Sequence, residues 1–93
     1  MFETLFEIIE DRKLSKPGGS YTAALMASGE NKILRKIGEE ALEVTFASKD
    51  EGRQRLVEEA SDLIYHLFVL LSFKGVDIDE VKQELLKRHQ GEL

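Results

Sequence analysis

An all-α fold, a helical bundle of four to five helices, is what this sequence predicts. Apolar residues recur at helical spacing in each long segment. No stretch alternates apolar and polar residues as a half-buried strand would. The only Pro/Gly-rich break, Ser15-Lys16-Pro17-Gly18-Gly19, separates two helical patterns, and no internal repeat or low-complexity tract is visible.

The first helix is expected over 1–14, where Phe2, Leu5, Phe6 and Ile9 share a face. Ser20 can cap a short helix from Tyr21 to about Ala27, with Gly29 as its stop. The next helix is expected from Asn31 to about Ser48. Ile33, Ile37, Ala41 and Val44 form its apolar stripe, and Leu42 and Phe46 project on another side. At about 100° per residue, Glu39, Glu40 and Glu43 fall between these two apolar sectors.

Asp50 is positioned to cap the following helix, which runs to about Lys74. Its broad apolar face comprises Leu56, Val57, Ala60, Leu63, Ile64, Leu67, Phe68 and Leu71. Glu59, Asp62 and His66 line one edge of that face, and Gly75 ends the helix as a C′ glycine. Asp77 and Glu80 then have the spacing of a capping box, with Val76 and Val81 as a staple, opening a last helix from Ile78 to about Arg88.

The chain has 93 residues, so 1–93 is read as a single domain. Hydrophobic residues make up 42% and charged residues 33%, an ordinary globular balance. A chain this short leaves much of its surface in water, which favours an oligomer with a shared core. The net charge is −5 and there is no basic run, so nucleic acid is not an expected partner. The absence of cysteine excludes disulfides and thiolate metal sites and is compatible with a cytoplasmic location. Residues 2–9 carry two acids and no cationic start, unlike a signal peptide. The longest apolar run, Leu67 to Leu71, is too short to span a membrane, so no membrane partner is expected.

The chemistry is expected in two acidic clusters, Glu39-Glu40-x-x-Glu43 and Glu59-x-x-Asp62. Residues three or four apart share a helix face. If the two helices pack antiparallel about a short connection over 49–52, the clusters meet. Converging carboxylates raise one another's pKa unless a cation relieves them. Mg²⁺ is the natural cofactor, because it takes oxygen ligands and keeps waters for chemistry on phosphates. Mn²⁺ is the substitute. Helical di-iron sites also turn carboxylates inward, but they use Glu-x-x-His pairs, and none occurs here. The bland alternative is a solvated acidic helix face.

The segments Lys36-Ile37-Gly38-Glu39-Glu40-Ala41-Leu42-Glu43 and Glu59-Ala60-Ser61-Asp62-Leu63-Ile64-Tyr65-His66 resemble the signature of the phosphoribosyl-ATP pyrophosphatases. These belong to the all-α nucleotide pyrophosphohydrolases, with the MazG proteins. The resemblance extends through Ser20-Tyr21-Thr22, Leu25 and Gly29, and to Gly75-Val76 and Arg88-His89. It implies Mg²⁺-dependent hydrolysis of phosphoribosyl-ATP to phosphoribosyl-AMP and pyrophosphate, the second step of histidine biosynthesis, by a homodimer. It also implies that Glu40, Glu43, Glu59 and Asp62 hold the metal, with Glu39 as a further ligand or a water-orienting group. All five are then catalytic residues.

Four side chains are candidates for contact with substrate. Lys36 can meet a phosphate or simply pair with Glu40 one turn on. His66 can bond substrate, orient Asp62, or be a satisfied histidine at a helix edge. Thr22 follows a glycine-containing loop at a helix start, where free amides hold phosphate, though without a Walker pattern. Arg12 lies before that loop and is either a phosphate attractor or surface charge. His89 is read as a cation complementing a helix C-terminus. Two rival functions remain: a house-cleaning hydrolase of nucleoside triphosphates, and a non-catalytic helical module that mediates oligomerisation.

Overall fold

The computed structural model describes residues 1–92. The described residues form five α-helices: α1 (Phe2–Ser15), α2 (Tyr21–Ala27), α3 (Glu30–Phe46), α4 (Gly52–Phe73) and α5 (Ile78–Arg88). A π-helical turn, Ala47–Glu51, joins α3 to α4, and no strand occurs among the described residues. The all-α expectation holds. None of these helices is long and apolar enough to cross a membrane.

One apolar residue from each of the first four helices meets at the centre: Ile9, Leu25, Ile33 and Val69, all essentially excluded from water. Each such burial stabilises the fold by roughly 1.5–3 kcal/mol. Ile33 meets Val69 there, whereas Glu40, two turns further along α3, meets Glu59 and Asp62, which precede Val69. α3 and α4 are therefore antiparallel.

Local chemistry sets most of the boundaries. Ser20 Oγ accepts from the Ala23 N–H at 3.1 Å and starts α2. Gly29 belongs to the next helix: with φ +98° it is the N-cap of α3, and Ser28 ends α2. At the end of α4 the Val76 N–H reaches Leu71 O at 2.8 Å and the Gly75 N–H reaches Ser72 O at 3.1 Å. This is a Schellman closure, and the φ of +73° at Gly75 makes it possible. Asp77 and Glu80 form the expected capping box of α5.

The connection between α3 and α4 differs from expectation. The chain stays helical through Ala47–Glu51, and the break comes at Gly52, with φ +85°. Asp50 therefore lies inside the π-helical turn and caps nothing. Glu51 is the N-cap of α4 and makes no side-chain cap bond. Glycine at 52 supplies a turn that no side chain need stabilise, which removes the role expected of Asp50.

α5 sits lightly on the bundle. Ile78 is its only buried residue, and a groove of about 690 Å³ separates it from α1 and α4. Lys82 Nζ donates to Glu3 Oε1 at 2.6 Å and ties it to α1. That bond is the main reason the Glu3 carboxyl is pulled down to about 2. A lowered carboxylate pKa contributes stability above the ordinary value of 4.5, and this is lost as pH falls toward 2. Acidification through that window should speed amide exchange in α5 before the rest of the bundle. In Lys82→Met the same fast exchange should already be present at neutral pH.

Candidate metal centre

Glu40 of α3 meets Glu59 and Asp62 of α4, with one carboxylate oxygen from each lying within 4.8 Å of the others. The placement follows from helix geometry. Glu59, Asp62 and His66 sit within a narrow sector of α4, at i, i+3 and i+7. Glu40 borders the Ile33–Ile37–Val44 stripe that faces the core, and its side chain is only 12% exposed. Glu59 is buried at 6% exposure, and Asp62 is exposed. The three open onto a cleft of about 470 Å³, also lined by Glu39, Glu43, Leu42 and Arg55.

All five acids singled out in the sequence thus share one cleft. Glu39 and Glu43 stand in its wall, outside the close set of three. The flanking surface is less symmetrical than expected. Leu42 and Phe46, the second apolar sector of α3, are about half exposed, so only one flank of the acids is core within this chain.

Electrostatics mark the centre as short of positive charge. Burial is the first cause that pushes the Glu40 carboxyl above its ordinary pKa. A hydrogen bond with Glu59 and the negative charges of Asp62 and Glu59 push it further. Lys36 opposes the shift, with Nζ 3.6 Å from Glu40 and 3.9 Å from Glu39. Arg55 neutralises Glu59, donating Nη2 to Oε1 at 2.5 Å while Nη1 bonds Glu58 at 2.5 Å.

The donor set is entirely carboxylate oxygen, which suits a hard divalent cation. The elevated pKa of Glu40 is compatible with the same reading: burial is its first cause, and the neighbouring acids Glu59 and Asp62 add to it against the opposing charge of Lys36.

The substrate-contact candidates fall into two groups. Lys36 and His66 lie on the two helices that form the cleft, α3 and α4, whereas Thr22 lies on α2, outside the cleft lining. His66 is 5% exposed and directs Nδ1 to the Asp62 backbone oxygen at 2.8 Å. That oxygen only accepts, so Nδ1 carries the proton, and in the neutral ring Nε2 accepts from the Tyr21 hydroxyl at 3.2 Å. Thr22 is buried, and its hydroxyl bonds the Tyr65 hydroxyl. Arg12 lies apart: it pairs with Asp11 at 2.6 Å and lines a separate pocket with Lys13 and Lys16. His89 is exposed and bonds Glu92 at 2.7 Å.

Two residues at the site escaped the sequence reading. Arg55 was legible in principle, as a cation one turn before Glu59. Tyr21 was not, because its bond to His66 joins residues 45 positions apart.

An all-helical fold with an open cleft of carboxylate oxygens puts the chain in the class of helical proteins with a candidate metal site. Comparison with known proteins makes the class specific. The family described as "Phosphoribosyl-ATP pyrophosphohydrolase" matches residues 2–89. A phosphoribosyl-ATP pyrophosphatase of Metallosphaera sedula is 51% identical over 88 residues, covering 95% of both chains. Those of Haloarcula marismortui and Pelotomaculum thermopropionicum are 48% and 52% identical, over 95% and 92% of this chain and 92% and 88% of their own. The chain belongs to the phosphoribosyl-ATP pyrophosphohydrolase family.

Proposed function

We propose that the chain, working as one domain, hydrolyses phosphoribosyl-ATP to phosphoribosyl-AMP and pyrophosphate in a Mg²⁺-dependent second step of histidine biosynthesis. The observation that carries this is the close carboxylate set Glu40, Glu59 and Asp62, in a chain whose near-full-length relatives bear the name of that enzyme. These three residues would hold the ion, with Glu43 and Glu39 in reach from the cleft wall. When bound, Mg²⁺ supplies charge neutralisation at phosphate oxygens and a water of lowered pKa.

The remaining work belongs to the chain. Glu39, with its side chain 53% exposed at the rim, is placed to orient the attacking water. Lys36 places a positive charge beside Glu40, where it can meet a phosphate oxygen. His66 holds the backbone of Asp62 through Nδ1, which fixes one wall of the cleft.

Pyrophosphate release from phosphoribosyl-ATP, measured against a panel of nucleoside triphosphates, tests the assignment. Turnover confined to phosphoribosyl-ATP is expected. Comparable turnover of the panel would instead make this a house-cleaning hydrolase.

We also infer a homodimer in the cytoplasm. The broad apolar face foreseen on α4 is incompletely covered: Val57 is 53% and Leu67 40% exposed, and none of the residues assigned to that face is fully buried. A continuous apolar face of this kind on a small chain is the usual mark of an interface. Sedimentation should find a dimer, and Leu67→Glu should shift it to monomer. A monomeric parent protein would remove this inference.

A further inference from the structure

Tyr21 is an exposed aromatic ring whose orientation is nevertheless fixed. It is 52% exposed at the first position of α2. Its hydroxyl donates to His66 Nε2, its ring stands edge-on to His66 at 6.1 Å and 88°, and it lies tilted by 34° to Tyr65 at 6.2 Å. His66 has no donor or acceptor left for a ligand, because Nδ1 is committed to the Asp62 backbone. In this cluster Tyr21 is the most exposed member.

We propose that Tyr21 is the platform on which the purine base of the nucleotide stacks; this rests on the pyrophosphohydrolase reading above. The position of the ring supports it. His66 lies one helical turn, about 5.4 Å, beyond Asp62 on the same edge of α4. The Tyr21 hydroxyl is therefore two hydrogen bonds and one imidazole away from the Asp62 backbone. That offset is of the order a ribose places between a base and its first phosphate. Arg55, one turn before Glu59, marks the opposite end of the cleft.

The site thus runs from a guanidinium, through carboxylates suited to a metal ion, to an aromatic face. A nucleotide has the same polarity, from terminal phosphates to base. A ring held in place by His66 and Tyr65 also loses little freedom on binding.

The test is calorimetry on the full chain with Mg²⁺, using α,β-methylene-ATP and inorganic pyrophosphate as separate probes. Tyr21→Ala and Tyr21→Leu should each weaken the nucleotide analogue by about tenfold, the scale of one lost stacking contact. Both should leave pyrophosphate affinity within about twofold of the parent. Tyr21→Phe should keep both affinities, because the ring remains. Tyr21→Leu preserves apolar packing if the alanine variant folds poorly.

Unchanged affinity for the analogue in both variants would overturn the proposal. So would equal weakening of both probes, which would make Tyr21 a scaffold acting through His66, or a loss in Tyr21→Phe as large as in Tyr21→Ala. If the parent protein binds neither probe with Mg²⁺ and releases no pyrophosphate from phosphoribosyl-ATP, the pyrophosphohydrolase reading fails and the proposal falls with it; turnover of phosphoribosyl-ATP without binding of the analogue would overturn the stacking proposal alone.

Discussion

Glu59→Gln should reduce pyrophosphate release from phosphoribosyl-ATP by at least about 1000-fold, because a metal's charge stabilisation is worth several kcal/mol and each 1.4 kcal/mol is tenfold in rate. Glutamine keeps the shape of the side chain and removes the charge needed to hold a divalent cation. Glu59 is the buried member of the set, so packing holds its carboxylate in place beside Glu40 and Asp62. The fold should survive. The lost partner of Glu59 is Arg55, which keeps Glu58, and its side chain is 47% exposed, so the ion pair itself is worth only tenths of a kcal/mol. Asp62→Asn should behave alike. Steady-state pyrophosphate release and a far-ultraviolet dichroism melt together check both halves of the expectation. Retained turnover in both variants would remove the proposed metal centre.

Glu40→Gln should raise the melting temperature of the metal-free protein at neutral pH and abolish stabilisation by added Mg²⁺. The sign follows from the direction of the shift. The Glu40 carboxyl is raised, by burial first and by its acidic neighbours next, so the folded state prefers the protonated form. Its favourable contribution is full below the ordinary carboxylate pKa of 4.5 and is lost as pH rises through the elevated folded value. Glutamine mimics the protonated state at every pH, so the variant should lose that part of the pH dependence. A gain of about 1 kcal/mol would appear as ~4–8 °C in a domain of this size. In the parent protein Mg²⁺ should produce the rise instead, by binding the folded state alone. Thermal melts at several pH values, with and without Mg²⁺, separate these effects. A parent protein indifferent to Mg²⁺ would count against the metal centre.

Much of this was readable from residue order. The helix over Tyr21–Ala27 follows from a serine cap, and α5 from the Asp77–Glu80 pair, because these signals act within four residues. The acidic cleft was legible too, since period and spacing put each cluster on one face and a short connection forces the faces together.

Other features were not readable. Nothing local separates a helix that turns at Asp50 from one that continues through Glu51, since both offer plausible caps and only the φ of Gly52 decides. The ranking of the five acids was hidden as well. Glu40 rather than Glu43 joins the close set with Glu59 and Asp62, and that depends on how α3 rotates against α4. The pairing of Tyr21 with His66 is a product of tertiary packing alone.

The π-helical turn over Ala47–Glu51 constrains how this chain can vary. Apart from buried Ala47, its residues are exposed, so their identities are open to exchange. Their number is not. Removing one would restore the tighter α pitch and swing the start of α4 by about 100°. Every later residue would inherit that swing, and Glu59 and Asp62 would leave Glu40 behind. Among descendants of this gene, the segment should therefore tolerate substitution freely while insertions and deletions are purged.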